Sequence, residues 1–107
     1  MATLRLSPSD REAALATLAA TKWRAVPQRD AVESTFVFGD FKAAFGFMAQ
    51  VALHADAADH HPEWFNVYNR VHMTLSTHDC NGLSHKDVTL ARFADKVCAS
   101  MAGCKKQ

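Results

Sequence analysis

Residues 32–58 read VESTFVFGDFKAAFGFMAQVALHADAA, and within them the apolar repeat changes from that of a strand to that of a helix. Val32, Ser34, Phe36 and Phe38 alternate with Glu33, Thr35 and Val37, the period of a strand with a mostly apolar inner face. Gly39-Asp40 stops the alternation, and Asp40 is placed to cap the helix after it. Over residues 41–58, Phe41, Phe45, Met48, Ala52 and Ala55 form one helical stripe, with Ala44, Phe47, Val51 and His54 beside it. A helix apolar over so much of its circumference needs two surfaces to cover it. Its own sheet supplies one. The other is expected to be another subunit, so the chain is expected to form a homo-oligomer, a tetramer or a dimer, through residues 41–53.

Upstream, Trp23-Arg24-Ala25-Val26 is a plausible partner strand, with residues 27–30 as the turn. Before it, Ser7 suits an N-cap, Pro8 the first helical position and Asp10 the first turn, and a modest Ala-rich helix with Leu15 and Leu18 runs up to Thr21. Downstream, His60-His61-Pro62 breaks the long helix. Residues 64–77 read as a second hairpin: Val71, Met73 and Leu75 alternate with His72, Thr74 and Ser76, and Tyr68-Asn69-Arg70 is the bend. Ser84 then caps a last helix, with Asp87 in the capping-box position and Leu90, Phe93, Ala94, Val97 and Met101 facing inward. The order helix, strand, strand, helix, strand, strand, helix predicts an α+β fold. Its core is a four-stranded antiparallel sheet with three helices packed on one face, in a single domain spanning 1–107.

The chain has 107 residues, 49% of them hydrophobic and 21% charged, a globular balance. Twelve Lys plus Arg against eleven Asp plus Glu leave a net charge of +1, which argues against a protein that binds nucleic acid or a membrane through a basic face. No apolar run approaches the roughly 20 residues a membrane span needs, and MATLRLSPSDREAALATL lacks a secretory apolar region. Cys80, Cys98 and Cys104 are an odd set without CxxC spacing, so no disulfide framework is expected and a reducing compartment is. GxGxxG, P-loop and GxSxG motifs are absent, which leaves nucleotide binding and serine hydrolysis without support.

Six histidines are many for this length. His54, His72 and His85 read as surface or half-buried residues. His60 and His61 end a helix and His78 ends a strand, places where a scaffold presents reactive groups. Imidazoles titrate near neutral pH, so such a cluster supplies proton donor and acceptor together. Asp56, Asp59, Asp79 and Asp87 surround them. Asp56 lies four positions before His60, and if the helix persists its carboxylate can orient that ring. Two rival readings stand beside this one. A cation at a helix C-terminus is favourable in itself, and histidines with an aspartate are competent zinc ligands, although adjacent histidines diverge and HExxH is absent.

The run Asp59-His60-His61-Pro62-Glu63-Trp64-Phe65-Asn66-Val67-Tyr68-Asn69, followed by Leu75-Ser76-Thr77-His78 and by Gly82-Leu83-Ser84 with Asp87, resembles the pterin-4a-carbinolamine dehydratases. The similarity extends upstream through FKAAFGFMAQVAL and covers roughly Trp23 to the last helix. The resemblance implies an enzyme that dehydrates 4a-hydroxytetrahydropterins to quinonoid dihydropterins, recycling the pterin of aromatic amino acid hydroxylases without a metal or redox cofactor. It implies that His60, His61 and His78 are the catalytic imidazoles, the first two as acids toward the leaving hydroxyl and the third holding or deprotonating the ring. Asp87 would polarise a histidine, and Asp56, Asp59, Trp64, Ser76, Thr77 and Asp79 would contact the pterin. Asp56 and Lys86 stand where animal members carry Glu and Arg, a shorter carboxylate and a lost bidentate donor. Animal members also act as dimerisation cofactors of a homeodomain transcription factor, so a partner helix docking on residues 41–53 is the alternative function. The expected compartment is the cytoplasm, joined by the nucleus if that second role holds.

Overall fold

The computed structural model describes residues 2–107. Ser7 accepts a hydrogen bond from the Asp10 N–H and opens α1 (Pro8–Ala19), with proline in the first turn. The chain then forms β1 (Arg24–Ala25) and β2 (Val32–Val37). The Asp40 carboxylate accepts from the Ala43 N–H at 2.9 Å and starts α2 (Phe41–Ala57). β3 (Glu63–Val67) and β4 (Arg70–Leu75) make a tight hairpin in which Val67 faces Arg70, so the bend is Tyr68-Asn69, with Tyr68 at φ 50°. A 3-10 turn (His78–Cys80) leads to α3 (His85–Ser100), capped by the reciprocal Ser84–Asp87 box, and the chain ends in β5 (Lys105–Lys106).

The strands lie in the order β1-β2-β4-β3, all antiparallel, and β5 pairs with β2 as well. The expected α+β order holds, but the sheet has five strands rather than four. β1 covers only the Val32–Glu33 end of the β2 edge, and the tail fills the rest, setting Lys106 opposite Phe36 and Lys105 opposite Val37. Lys106 fits there because its ammonium lies over the Trp23 and Phe36 rings and 2.5 Å from Asp95.

One face of the sheet carries Val32, Phe36, Val71, Met73 and Leu75, which share a core with Leu18 of α1, Ala44, Phe47 and Val51 of α2, and Leu90, Ala91 and Ala94 of α3. The Phe47 ring packs at 4.6 Å from Phe36 and 5.0 Å from Phe38, and His54 stacks on Phe93 at 3.9 Å to hold α2 against α3. Removing a ring such as Phe47 would cost about 3–5 kcal/mol. Of the second predicted stripe of α2, Ala44, Phe47 and Val51 are buried, and Ala55 of the first is buried with them, while Met48 packs half-buried against the core; Phe41 and Phe45 of the first stripe, with Leu53, stay exposed.

The cysteines correct the sequence reading. Cys98 and Cys104 form a disulfide, while Cys80 is free. α3 stops at Ser100, and a turn through Gly103 at φ 80° brings the chain back alongside the helix end, which local spacing does not reveal.

Candidate active site

Three connections position the site. The first is the end of α2. Asp59 adopts the left-handed conformation at φ 50°, its N–H bonds the Asp56 carbonyl at 3.1 Å, and the His60 N–H bonds the Ala55 carbonyl at 2.9 Å. This is a Schellman ending with aspartate where glycine is usual. It turns His60 inward, so the helix does not persist and Asp56 does not reach His60. Asp56 lies instead 3.4 Å from His61 Nε2, both side chains largely in solvent.

The second connection is the start of α3. The buried Asp87 carboxylate accepts from the Ser84 N–H at 3.0 Å and the Thr77 hydroxyl at 2.7 Å on one oxygen. Its other oxygen is 2.7 Å from His60 Nε2. A carboxylate only accepts, so Nε2 carries the hydrogen and the tautomer of His60 is fixed. Because Thr77 donates to Asp87, the 2.5 Å contact between Thr77 and Ser84 is donated by Ser84. The Thr77 hydroxyl is thereby fully engaged inside the protein rather than offered to a ligand.

The third connection is the loop after β4. Thr77 and Gly82 exchange backbone hydrogen bonds of 2.9 and 3.2 Å around the 3-10 turn, which presents His78 and Asp79 to solvent. His78 opens this turn rather than ending a strand, since β4 closes at Leu75.

These connections border one cleft of about 510 Å³. His60, His61 and His78 all line it, with Asp59, Ser76, Thr77 and Asp79. Asp87 supports it from behind. Asp56 and Trp64 do not line it; Trp64 is half-buried against the core. Sequence reading missed Arg29, Glu63 and Asn81, which complete the wall with Pro62 and Lys86. Arg29 and Glu63 form a two-pronged ion pair of 2.7 and 2.8 Å. The hydrogen bond from Arg29 and then its charge outweigh burial and hold the Glu63 carboxyl below its ordinary pKa, and the Arg29 pKa is raised in turn. Nothing local signals this pair, because Arg29 lies on the β1–β2 turn and Glu63 opens β3, 34 positions further on. Among the described residues, no three His, Cys, Asp or Glu side chains converge as metal ligands.

A one-sided α+β sheet whose loops gather three imidazoles in a polar cleft defines a small protein equipped for acid–base chemistry on a polar ligand. The chain belongs to the pterin 4 alpha carbinolamine dehydratase family, whose model matches residues 4–97. It is 60% identical over 77 residues to a Burkholderia vietnamiensis protein provisionally named pterin-4-alpha-carbinolamine dehydratase, a match covering 72% of this chain and 76% of that one. A Burkholderia ambifaria protein with the same provisional name is 58% identical over 77 residues, again covering 72% of this chain and 76% of its own. The crystal structure of a transcriptional coactivator/pterin dehydratase from Brucella melitensis superposes with a TM-score of 0.79 at 48% identity, covering 87% of this chain and 97% of that one. Family membership makes the chain a dehydratase, a hydro-lyase.

Proposed function

We propose that this chain converts a 4a-hydroxytetrahydropterin to the quinonoid dihydropterin and water by histidine acid–base catalysis, returning the pterin to aromatic amino acid hydroxylases. The observation that carries this reading is the convergence of His60, His61 and His78 on one cleft in a chain of this family. The cleft volume of about 510 Å³ suits a small heterocycle. In the reaction the C4a–oxygen bond breaks and the oxygen leaves as water with a proton from an imidazolium. A ring N–H gives its proton to a neutral imidazole while the new ring double bond forms, so the protein's proton count is unchanged. His60, held at Nε2 by Asp87, works through Nδ1 without reorienting. His61, exposed beside Asp56, exchanges protons with water. These two face the leaving hydroxyl, and His78 takes the ring proton. The backbone of residues 76–79, with Asp59 and Asp79, meets the donor–acceptor edge of the pterin.

The test is to generate a 4a-hydroxytetrahydropterin with a hydroxylase and follow its decay by ultraviolet absorbance with and without the protein. Acceleration that vanishes in His61→Ala supports the reading. No acceleration by folded wild-type protein overturns it.

A second reading rests on the exposed Phe41, Phe45 and Leu53 of α2. This face assembles a homo-oligomer, tetramer or dimer, or receives a transcription factor's dimerisation helix; the Brucella melitensis relative is named a transcriptional coactivator as well as a pterin dehydratase. Cytoplasm is the proposed compartment, with the nucleus added if the coactivator role holds.

A further inference from the structure

His78 is the exposed member of the three imidazoles whose own ring has no hydrogen-bond partner among the described residues, whereas His60 has Asp87 and His61 has Asp56. Its place in the cleft is therefore inherited from the backbone of the 76–84 loop. Thr77 fastens that loop from inside. From outside, Asp30, at the end of the β1–β2 turn, is the hub. Its Oδ2 accepts from the Leu83 N–H at 3.1 Å, its Oδ1 from Arg11 Nε at 2.6 Å, and its carbonyl from the Ser76 hydroxyl at 3.0 Å. A methyl group on Gly82 would collide with the Asp30 carboxylate and with Arg5, so the loop backbone is pressed against this pair. Arg5 donates to the Cys80 carbonyl at 3.3 Å and to the Asn81 carbonyl at 2.5 Å, and the Leu6 N–H bonds the Leu83 carbonyl at 2.8 Å. Partial burial works to raise the Asp30 pKa. The hydrogen bonds from Arg11 and Leu83 and the charges of Arg11 and Arg5 outweigh it, and the carboxyl titrates below its ordinary value.

We propose that Asp30 is a positioning residue for the reaction: together with Arg5 and Arg11 it holds the 76–84 loop so that His78 and the Ser76–Thr77 backbone face the cleft. The proposal rests on the reading of that cleft as the dehydration site. Asp30 does not line the cleft itself; it holds Ser76 and Leu83 from outside. The N-terminal segment thus enters the chemistry indirectly, as the anchor of the loop's outer side.

The experiment compares Asp30→Ala, Asp30→Asn and Arg5→Ala with the wild-type chain, reading kcat and KM for dehydration, amide exchange at Gly82 and Leu83, and the ring-proton resonances of the histidines. In Asp30→Ala, exchange at Leu83 should quicken about tenfold for one lost hydrogen bond. The His78 resonance should move while that of His61 stays, and kcat should fall about 10- to 100-fold as the ring is misplaced. Asp30→Asn keeps an acceptor for the Leu83 N–H and should recover most of the rate. Arg5→Ala removes an exposed side chain, cannot unfold the core, and should shift the His78 resonance in the same direction with a loss of about threefold in kcat. Unchanged His78 resonance and wild-type kcat in Asp30→Ala and Arg5→Ala would overturn the proposal. So would rates that fall only in step with melting temperature. An inactive wild-type chain in which Asp30→Ala still moves the His78 resonance would overturn the dehydration reading and leave the positioning of the loop standing.

Discussion

His60 and Asp87 stand 27 positions apart and meet at 2.7 Å, their side chains only 8% and 0% exposed. The same carboxylate that caps α3 also fixes the tautomer of a cleft imidazole. One group thus joins a folding signal to the chemistry, and the two roles separate on substitution. In Asp87→Asn, the amide keeps one oxygen and turns the other position into a donor. Either the Ser84 and Thr77 donors or the His60 Nε2–H then meets an N–H. Folding stability should drop by about 2 kcal/mol, and kcat by about 100-fold as His60 loses its tautomer. Denaturant melts and steady-state kinetics on the same preparation check both.

His61→Ala should behave differently. Its side chain is 60% exposed, and its pair with Asp56 is solvated, so the melting temperature should stay within a degree or two of wild type. The turnover number should fall about 10²- to 10⁴-fold. A large loss of stability with little loss of rate would make His61 a helix-terminal structural residue and remove it from the mechanism.

The capping box shows how far the sequence carries. Ser84 and Asp87 are three positions apart, and the pattern of a serine followed by an acid before an apolar run is readable as a helix start. That Asp87 also meets His60 depends on how α2 ends against α3, and no local pattern encodes it. The end of α2 is hard to read for a related reason: Asp59, not glycine, takes the left-handed position. β5 is hidden in the sequence because Lys105 and Lys106 have poor strand propensity. They pair only because β2 leaves an open edge and because Trp23, Phe36 and Asp95 receive the Lys106 ammonium. The alternating residues of β2 and β4 are legible for the opposite reason: one face of each is buried, and a two-residue period states that directly.

Lys106 gives a pH signature. Its burial lowers the ammonium pKa from the ordinary 10.5, and the Asp95 carboxylate only partly restores it. In the folded chain Lys106 therefore loses its proton at lower pH than in the unfolded chain. Between those two values the unfolded state binds more protons, so this group makes stability rise with pH toward 10.5. Lys106→Met should flatten that limb of the stability profile, and chemical denaturation at a series of alkaline pH values reads it. A profile identical in the two proteins would show that Lys106 is hydrated in solution.

Phe45→Glu tests the outer stripe of α2. Phe45 is 57% exposed and its ring lies 5.9 Å from that of Phe41, so within one chain the substitution should change stability by less than about 0.5 kcal/mol. If the stripe is an interface between copies, a buried unpaired charge there should dissociate the assembly. Light scattering should then fall to the 11.8 kDa of a single chain. An unchanged assembly mass in the variant would place the interface elsewhere.

The Cys98–Cys104 bond closes a short loop, with a sequence separation of 6, so constraint of the unfolded chain should contribute only about 2 kcal/mol. The tail has other holds. Lys106 and Lys105 pair with Phe36 and Val37, the Gln107 N–H bonds the Thr35 carbonyl at 2.9 Å, and Lys106 reaches Asp95. The double variant Cys98→Ala, Cys104→Ala should therefore melt about 10 °C lower yet keep β5 on the sheet, with the Lys106 amide still protected from exchange. Its dehydration rate should equal that of wild type, because neither cysteine lies on the cleft. Wherever the surroundings are reducing the bond is open to thiol exchange, and alkylation of freshly lysed cells followed by mass measurement counts how much of it forms in the cell. A variant that loses protection at Lys106 along with its stability would show that the disulfide, rather than the strand pairing and the buried ammonium, keeps the tail in place.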